Sequence, residues 1–470
     1  MTPVPQAVNK TAILLIVVMS YLMIIVDVSV VITALPAIQG AFRFSQAELS
    51  LVHSAYTLTL GGLLLLGARA GDLLGHRRVV MAGLGLFTLA SLLIGLSQGA
   101  GLLLAGRVLQ GLGAAMLVPT TLAMLSTHFA EGPERMRAFS LHAAAAGVGT
   151  SLGLVLGGLA ADLLSWRACF FINLPIGMLL LWATHRHVAP TAAKVGQFDL
   201  PGAVLSTLGM VALVFGLVRS SELGWADAGV ATALLGAALA LVLLVRHEAR
   251  ATQPIVPLRL FASPSRNAAL AARLLFLGAM IGFWFFTTQY LQRLLGLSPL
   301  QAGLAFVPTT VVHFIAAMAV PRLSQRWGHP KVLVLGLSLS MCALIWLSLL
   351  AGSQPPLASL AAPMALIGLA QGLVFSPLTS AGVAGVDKAD AGAASGLVNV
   401  AHQLGGAVGL SLLVVVYSHV TRQLGPQPLA AAQGIAATYR GGALMLAAAL
   451  ALTLLFIVRR PAHRASSISH

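Results

Sequence analysis

Fourteen stretches of this chain stay apolar for about 20 residues, the length at which a helix rising 1.5 Å per residue crosses about 30 Å of hydrocarbon. They fall near 12–36, 48–67, 79–97, 101–125, 139–163, 169–186, 200–219, 227–246, 267–289, 301–320, 332–351, 357–379, 391–418 and 440–459. Lipid offers no hydrogen-bond partner to a peptide group, so runs of this length are expected as helices that satisfy their own backbone. Internal Gly61, Gly62, Gly111, Gly113, Pro119 and Gly153 do not argue against this, because membrane helices tolerate both residue types and use glycine for close packing. The composition agrees: 58% of residues are hydrophobic and 8% charged, against about 25% charged in soluble domains. The fold class expected is an all-α integral membrane protein. The first run is too long for a signal-peptide core and no small-residue cleavage pattern follows it, so it is expected to be retained. Cys169 and Cys342 lie in or beside apolar runs and suggest no disulfide framework.

A net charge of +15 could point to nucleic acid, but the basic residues are unevenly distributed between alternate loops. With an inside N-terminus, most of the 27 Lys and Arg, including Arg135, Arg137, Arg186, Arg246, Arg250, Arg322 and Arg326, lie on the cytoplasmic side. That is the positive-inside bias. It predicts a multi-pass protein of the inner, cytoplasmic membrane with both termini in the cytoplasm, the lipid bilayer as its surroundings and no nucleic-acid partner.

The sequence also repeats itself. ARAGDLLGHRRV (68–79) and PRLSQRWGHPKV (321–332) share Arg69/Arg322, Gly75/Gly328, His76/His329, Arg78/Lys331 and Val79/Val332 at a constant offset, and Gln-Gly recurs at 110–111 and 371–372. Weak internal symmetry of this kind marks transporters built from two similar helical bundles with the substrate bound near mid-membrane. The expected organisation is a six-helix bundle over 1–187, a linker carrying two inserted spans over 188–260 and a second six-helix bundle over 261–470.

Of the 12 acids, only Asp27 falls well inside a span. A carboxylate in hydrocarbon costs several kcal/mol unless it is paired, protonated or beside water, so it is a functional-site candidate by default. Asp27 lies about 22 Å from the cytoplasmic end of its span, and Arg107 enters from the opposite side to about the same depth. A carboxylate and a guanidinium facing each other there would make a proton switch, or alternatively a static pair locking spans 1 and 4. Polar groups placed to line a cavity are Tyr21, Tyr56, Gln110, Gln289, His313, Asn399 and His402. Gly149, Gly153 and Gly157, at i, i+4 and i+8, form a small-xxx-small packing face.

ARAGDLLGHRR, Arg107 with Gln110-Gly111, and Gly149, Gly153, Gly157 and Gly158 resemble motifs of the major facilitator superfamily. WRACFFINLPIG (166–177), YLQRLLGLSPLQAG (290–303) and AGAASGLVNVAHQLGGAVG (391–409) are similar to its fourteen-span drug:proton antiporter branch. The resemblance implies the major facilitator fold of two six-helix bundles plus two inserted central spans, alternating access, and export of lipophilic molecules against protons. It also implies that Arg69, Asp72, Arg77 and Arg78 form a cytoplasmic latch between bundles. The chain departs from the pattern at Ile32 and Thr33, where Asn is usual, and at Leu154, where the span-5 motif has Pro.

No HExxH, GxSxG, Walker loop or zinc spacing occurs, so neither catalysis, a metal nor ATP is expected; a proton gradient would supply the energy and no cofactor is needed. The expected function is that of a monomeric, proton-coupled exporter of small lipophilic or amphipathic compounds such as antibiotics, whose partners are the small-molecule substrate and protons. A facilitator or importer of a specific metabolite or organic anion is the alternative.

Overall fold

The computed structural model describes residues 9–129, 132–190, 199–251, 257–352, 356–387, 390–425, 427 and 429–458; the two termini expected in the cytoplasm lie outside them. Fourteen membrane-length helices stand in the described residues, one for each apolar run: α1 Lys10–Phe42, α2 Gln46–Leu74, α3 His76–Gly95, α4 Ala100–His128, α5 Pro133–Leu163, α6 Ala168–His187 and α7 Leu200–Leu223. They continue as α8 Ala228–Glu248, α9 Pro264–Leu294, α10 Pro299–Trp327, α11 His329–Ala351, α12 Leu357–Val383, α13 Ala391–Leu424 and α14 Ala430–Val458. Thirteen are apolar enough over their described residues to cross a membrane, and α5 carries an apolar stretch at Val148–Leu163. Many helices overrun their apolar runs by a turn or more, because polar residues at their ends can keep the backbone ladder going outside the hydrocarbon.

The chain divides into two compact units. The first comprises Met1–Ser45, Leu51–Thr207 and Ser298–Leu304; the second comprises Gln46–Ser50, Leu208–Leu297 and Ala305–His470. Within the first, α1 packs on α5 and α6, and α3 on α4 and α6. Within the second, α9 packs on α13 and α14, and α11 on α12 and α14. The second pattern is the first shifted by eight helices, so the repeat legible in two loops extends to how the helices pack.

Glycine lets these helices approach. A Cβ on Gly153 would lie 2.5 Å from Ser29 Cβ, and one on Gly157 would lie 2.6 Å from Val30 Cα, while Gly149 faces Ile25 and Leu22 at 3.0 Å. The three glycines of α5 thus form the surface on which α1 rests, and α1 carries the intramembrane acid. The repeated loop glycines do something different: Gly75 (φ 90°) and Gly328 (φ 83°) each sit immediately before the next helix with φ in the region that a side chain disfavours.

Of the described membrane-length helices, α8 is the most exposed. Of α8, only Val230, Ala237 and Glu248 are buried among the described residues, whereas α9 is buried along most of its length. Asp227 ties the α7–α8 turn by accepting hydrogen bonds from Val230 N (3.0 Å) and Arg219 Nε (2.8 Å).

Candidate functional site

The first unit holds one polar cluster deep among its helices. Arg107 of α4 donates through Nη1 to Asp27 Oδ2 on α1 at 2.8 Å, and both side chains are fully buried. Gln110, one turn along α4, joins the pair: its Oε1 accepts from Arg107 Nη1 at 2.7 Å and its Nε2 donates to Asp27 Oδ1 at 3.0 Å. This orientation follows from chemistry, since guanidinium only donates and carboxylate only accepts. Asn173 of α6 donates to the same Asp27 Oδ1 at 2.7 Å. Ser91 of α3 accepts from Gln110 Nε2 (2.7 Å) and Asn173 Nδ2 (3.2 Å) and donates to Phe87 O (2.8 Å). Arg107 Nε donates to Val52 O of α2 at 3.1 Å, and the guanidinium lies 4.5 Å from the Tyr56 ring centroid.

Five helices therefore converge on one carboxylate, which receives three donors and faces none of its own kind. That set fits the ionised acid. A protonated Asp27 would carry a hydroxyl needing an acceptor, so taking up a proton requires at least one donor to swing away. Three buried polar atoms nearby in the fold, His53 Nε2, Tyr56 Oη and Arg107 Nη2, have no hydrogen-bond partner among the described residues.

Asp27, Arg107, Tyr56 and Gln110 thus come together in one network. Tyr21 makes none of these hydrogen bonds and is stacked on His142 of α5 with ring centroids 4.0 Å apart. In the second unit, His313 and His402 gather around Phe375, with ring centroids 5.9 Å from it in each case. Gln289 is buried and bonds along its own helix to Phe285 O at 3.5 Å, and Asn399 does the same to Ser395 O at 3.2 Å. At the end of α2, Asp72 Oδ1 lies 4.0 Å from His76 Nε2. Arg77 Nη2 donates to His185 O at 2.7 Å, capping the end of α6 inside the first unit. Arg69 stands one turn before Asp72 near the end of α2, and Arg78 follows Arg77 in the first turn of α3.

Sequence reasoning missed Asn173, Ser91 and the Val52 carbonyl. Asn173 carried a signal, an amide inside the apolar FFINLPIG; a lone serine and a backbone carbonyl carried none.

Fourteen apolar helices in two similarly packed sets, with an ion pair buried inside the first, define a polytopic helical membrane transporter. The chain belongs to the Major Facilitator Superfamily, whose family model matches residues 17–410. It is 41% identical over 402 residues to the cephamycin export protein of Amycolatopsis lactamdurans, covering 84% of this chain and 83% of that one. It is 35% identical over 465 residues to the puromycin resistance protein of Streptomyces alboniger, covering 94% and 90%, and 37% identical over 405 residues to the lincomycin resistance protein of Streptomyces lincolnensis, covering 84% and 82%. Among solved structures, the nucleoside transporter NupG superposes with a TM-score of 0.64 over 95% of this chain and 99% of that one at 14% identity, a likeness of fold. Family membership makes small molecules its substrates and a membrane its place.

Proposed function

We propose that this protein exports small lipophilic or amphipathic compounds, antibiotics among them, in exchange for protons, with Asp27 as the proton carrier. The observation that carries the reading is the Asp27–Arg107–Gln110–Asn173 network: a carboxylate at 1% exposure held by three donors from two other helices. In this reading the proton displaces Arg107 or an amide from Asp27, and because those donors sit on α4 and α6, proton occupancy becomes a change in how α1, α4 and α6 pack. The unpartnered His53, Tyr56 and Arg107 atoms mark where water could reach the acid. The antibiotic export and resistance activities of the relatives support export as the direction.

The same proposal takes residues 1–187 and 261–470 as the two moving bundles, 188–260 as an insertion, and both termini as cytoplasmic in a bacterial inner membrane. The chain would work as a monomer without a cofactor. Arg69 and Asp72, with Arg78, would latch the cytoplasmic side in one state, while Arg77 holds α6.

The test is drug-driven proton movement in proteoliposomes carrying wild-type protein or Asp27→Asn. Wild-type protein should acidify or alkalinise the lumen as the drug moves, and the variant should bind drug without moving protons. Unchanged proton movement in the variant removes Asp27 as carrier; drug flux that survives collapse of the gradient favours a facilitator.

A further inference from the structure

The second unit buries an arginine that the proton-carrier reading does not use. Arg273 lies nine residues into α9 at 6% exposure, about 14 Å along the helix from its start. None of α9 to α14 contains an Asp or Glu, so no acid on these six helices can pair with it, and both of its hydrogen-bond acceptors are non-acidic. Nη1 donates to Thr379 Oγ1 at 2.8 Å and Nη2 to His402 Nδ1 at 3.3 Å, while Nε has no partner among the described residues. Arginine only donates, so His402 Nδ1 must accept and that ring is neutral, carrying its proton on Nε2. Both partners are therefore uncharged. The Thr379 hydroxyl passes its own hydrogen to Phe375 O at 2.8 Å, and the Phe375 ring lies 5.9 Å from the guanidinium carbon.

Arg107 shows how this molecule treats a buried guanidinium when the charge is meant to stay inside: a carboxylate, an amide and a backbone carbonyl all accept from it. Among the described residues Arg273 has two neutral acceptors and no carboxylate; an unpartnered N–H is common to both arginines. A permanent cation so placed is costly in a membrane helix unless it faces a wet cavity or meets an anion. Its surroundings open outward, for Thr379 is exposed and Phe375, His313 and His402 are half-buried. Polar groups such as these line cavities rather than lipid. Beside the charge stands an apolar plate, Phe375, with Phe276 edge-on at 5.5 Å.

We propose that Arg273, with Thr379 and His402, forms an anion subsite that receives the carboxylate of a transported compound whose aromatic or apolar body lies against Phe375. The proposal rests on the export reading and narrows its substrates to amphipathic organic acids. A carboxylate matches the guanidinium fork, engages the idle Nε–H together with an Nη–H, and neutralises the charge. Thr379 and His402 act as neutral acceptors that position the guanidinium while the subsite is empty.

The experiment is equilibrium binding of radiolabelled benzylpenicillin, an aromatic monocarboxylate, and of its uncharged methyl ester to the full chain in phosphatidylcholine vesicles without a gradient. Wild-type protein should bind the acid about ten-fold more tightly than the ester, the scale of one charge-assisted pair. Arg273→Gln should abolish that preference with ester affinity unchanged, and Arg273→Lys should keep part of it. Equal binding of acid and ester by the wild type, binding of neither, or equal weakening of both in Arg273→Gln overturns the proposal. So does a preference that vanishes when phosphatidylglycerol is added to the vesicles, which would give Arg273 to a lipid headgroup. Because no gradient is present, failure of Asp27→Asn to stop proton movement would leave the subsite standing, and loss of acid preference would leave proton coupling standing.

Discussion

At the residue scale, the cluster around Asp27 behaves as a closed set of donors and acceptors, so each member has a specific consequence. Asn173→Ala removes one of three donors to a buried carboxylate, and a hydrogen bond to a charged group contributes about 1.5–3 kcal/mol; the variant should unfold at a lower temperature in detergent and transport more slowly. Arg107→Lys keeps the charge but cannot reach Val52 O and Asp27 together, since lysine lacks the fork; its thermal midpoint and its drug-driven proton flux should both fall. A second ion pair, outside the spans, allows a pH prediction. Arg259 grips Asp390 through two bonds of 2.6 Å, and this hydrogen bonding holds the Asp390 carboxyl below the usual carboxylate range. A depressed folded value stabilises the fold above the unfolded value of about 3.9 and loses that contribution as pH falls through the folded one. Asp390→Asn should therefore lower the thermal midpoint at pH 7, and the gap from wild type should narrow as the pH is taken down through the depressed Asp390 value. Asp27 was legible because an acid in an apolar run stands out. Its partners were legible only where they were charged or lay in a motif, since serine and asparagine occur in many spans without forming a site.

At the scale of helices, the sequence signal was hydropathy and glycine spacing, and both carry testable geometry. Gly153→Leu would push a side chain into Ser29 and Val26 O, where even a Cβ comes within 2.5 and 2.9 Å. Close-packed interiors accommodate such overpacking by backbone shifts costing about 1–3 kcal/mol, and here the shift moves α1, so Gly153→Leu should lose stability and proton flux together while Gly85→Leu, whose Cβ meets nothing within 4 Å, should keep both. Gly75→Ala and Gly328→Ala should each cost about 1 kcal/mol in detergent unfolding, because alanine is strained at positive φ. The repeated Gln-Gly also does one job twice. A Cβ on Gly111 would meet Tyr56 O at 2.5 Å and one on Gly372 would meet His313 O at 2.6 Å, so each glycine seats the fourth helix of its half against the second. The sequence suggested the repeat, but which carbonyl each glycine meets depends on helix rotation, which hydropathy does not specify.

For the whole molecule, the repeat makes the site's asymmetry visible. At the offset that aligns the two loops, Asp27 corresponds to Met280, and Gln371 donates to Met280 Sδ at 3.3 Å where Gln110 donates to Asp27 at 3.0 Å. Aligning the two Gln-Gly pairs sets Arg107 against Gly368, so the second half keeps the amide and lacks both charges. Asp27→Asn with Met280→Asp should consequently fail to restore proton-coupled transport, staying below about a tenth of wild type, because an acid at 280 meets no arginine in that cluster and is costly in its ionised form. Proteoliposome flux measures this directly. By itself the sequence determined that the chain is an all-helical membrane protein of many spans, because for apolar runs of this length the cost of an unpaired peptide group in lipid leaves the helix as the structure that satisfies its own backbone. It also singled out Asp27 and Arg107, because charge in hydrocarbon is rare. Only the tertiary structure decided that Gln110, Asn173 and Ser91 complete the network, and that Arg273 is met by Thr379 and His402 rather than by an acid. Which helix faces meet, and at what rotation, is set by packing between segments far apart in the chain, and no local pattern encodes it.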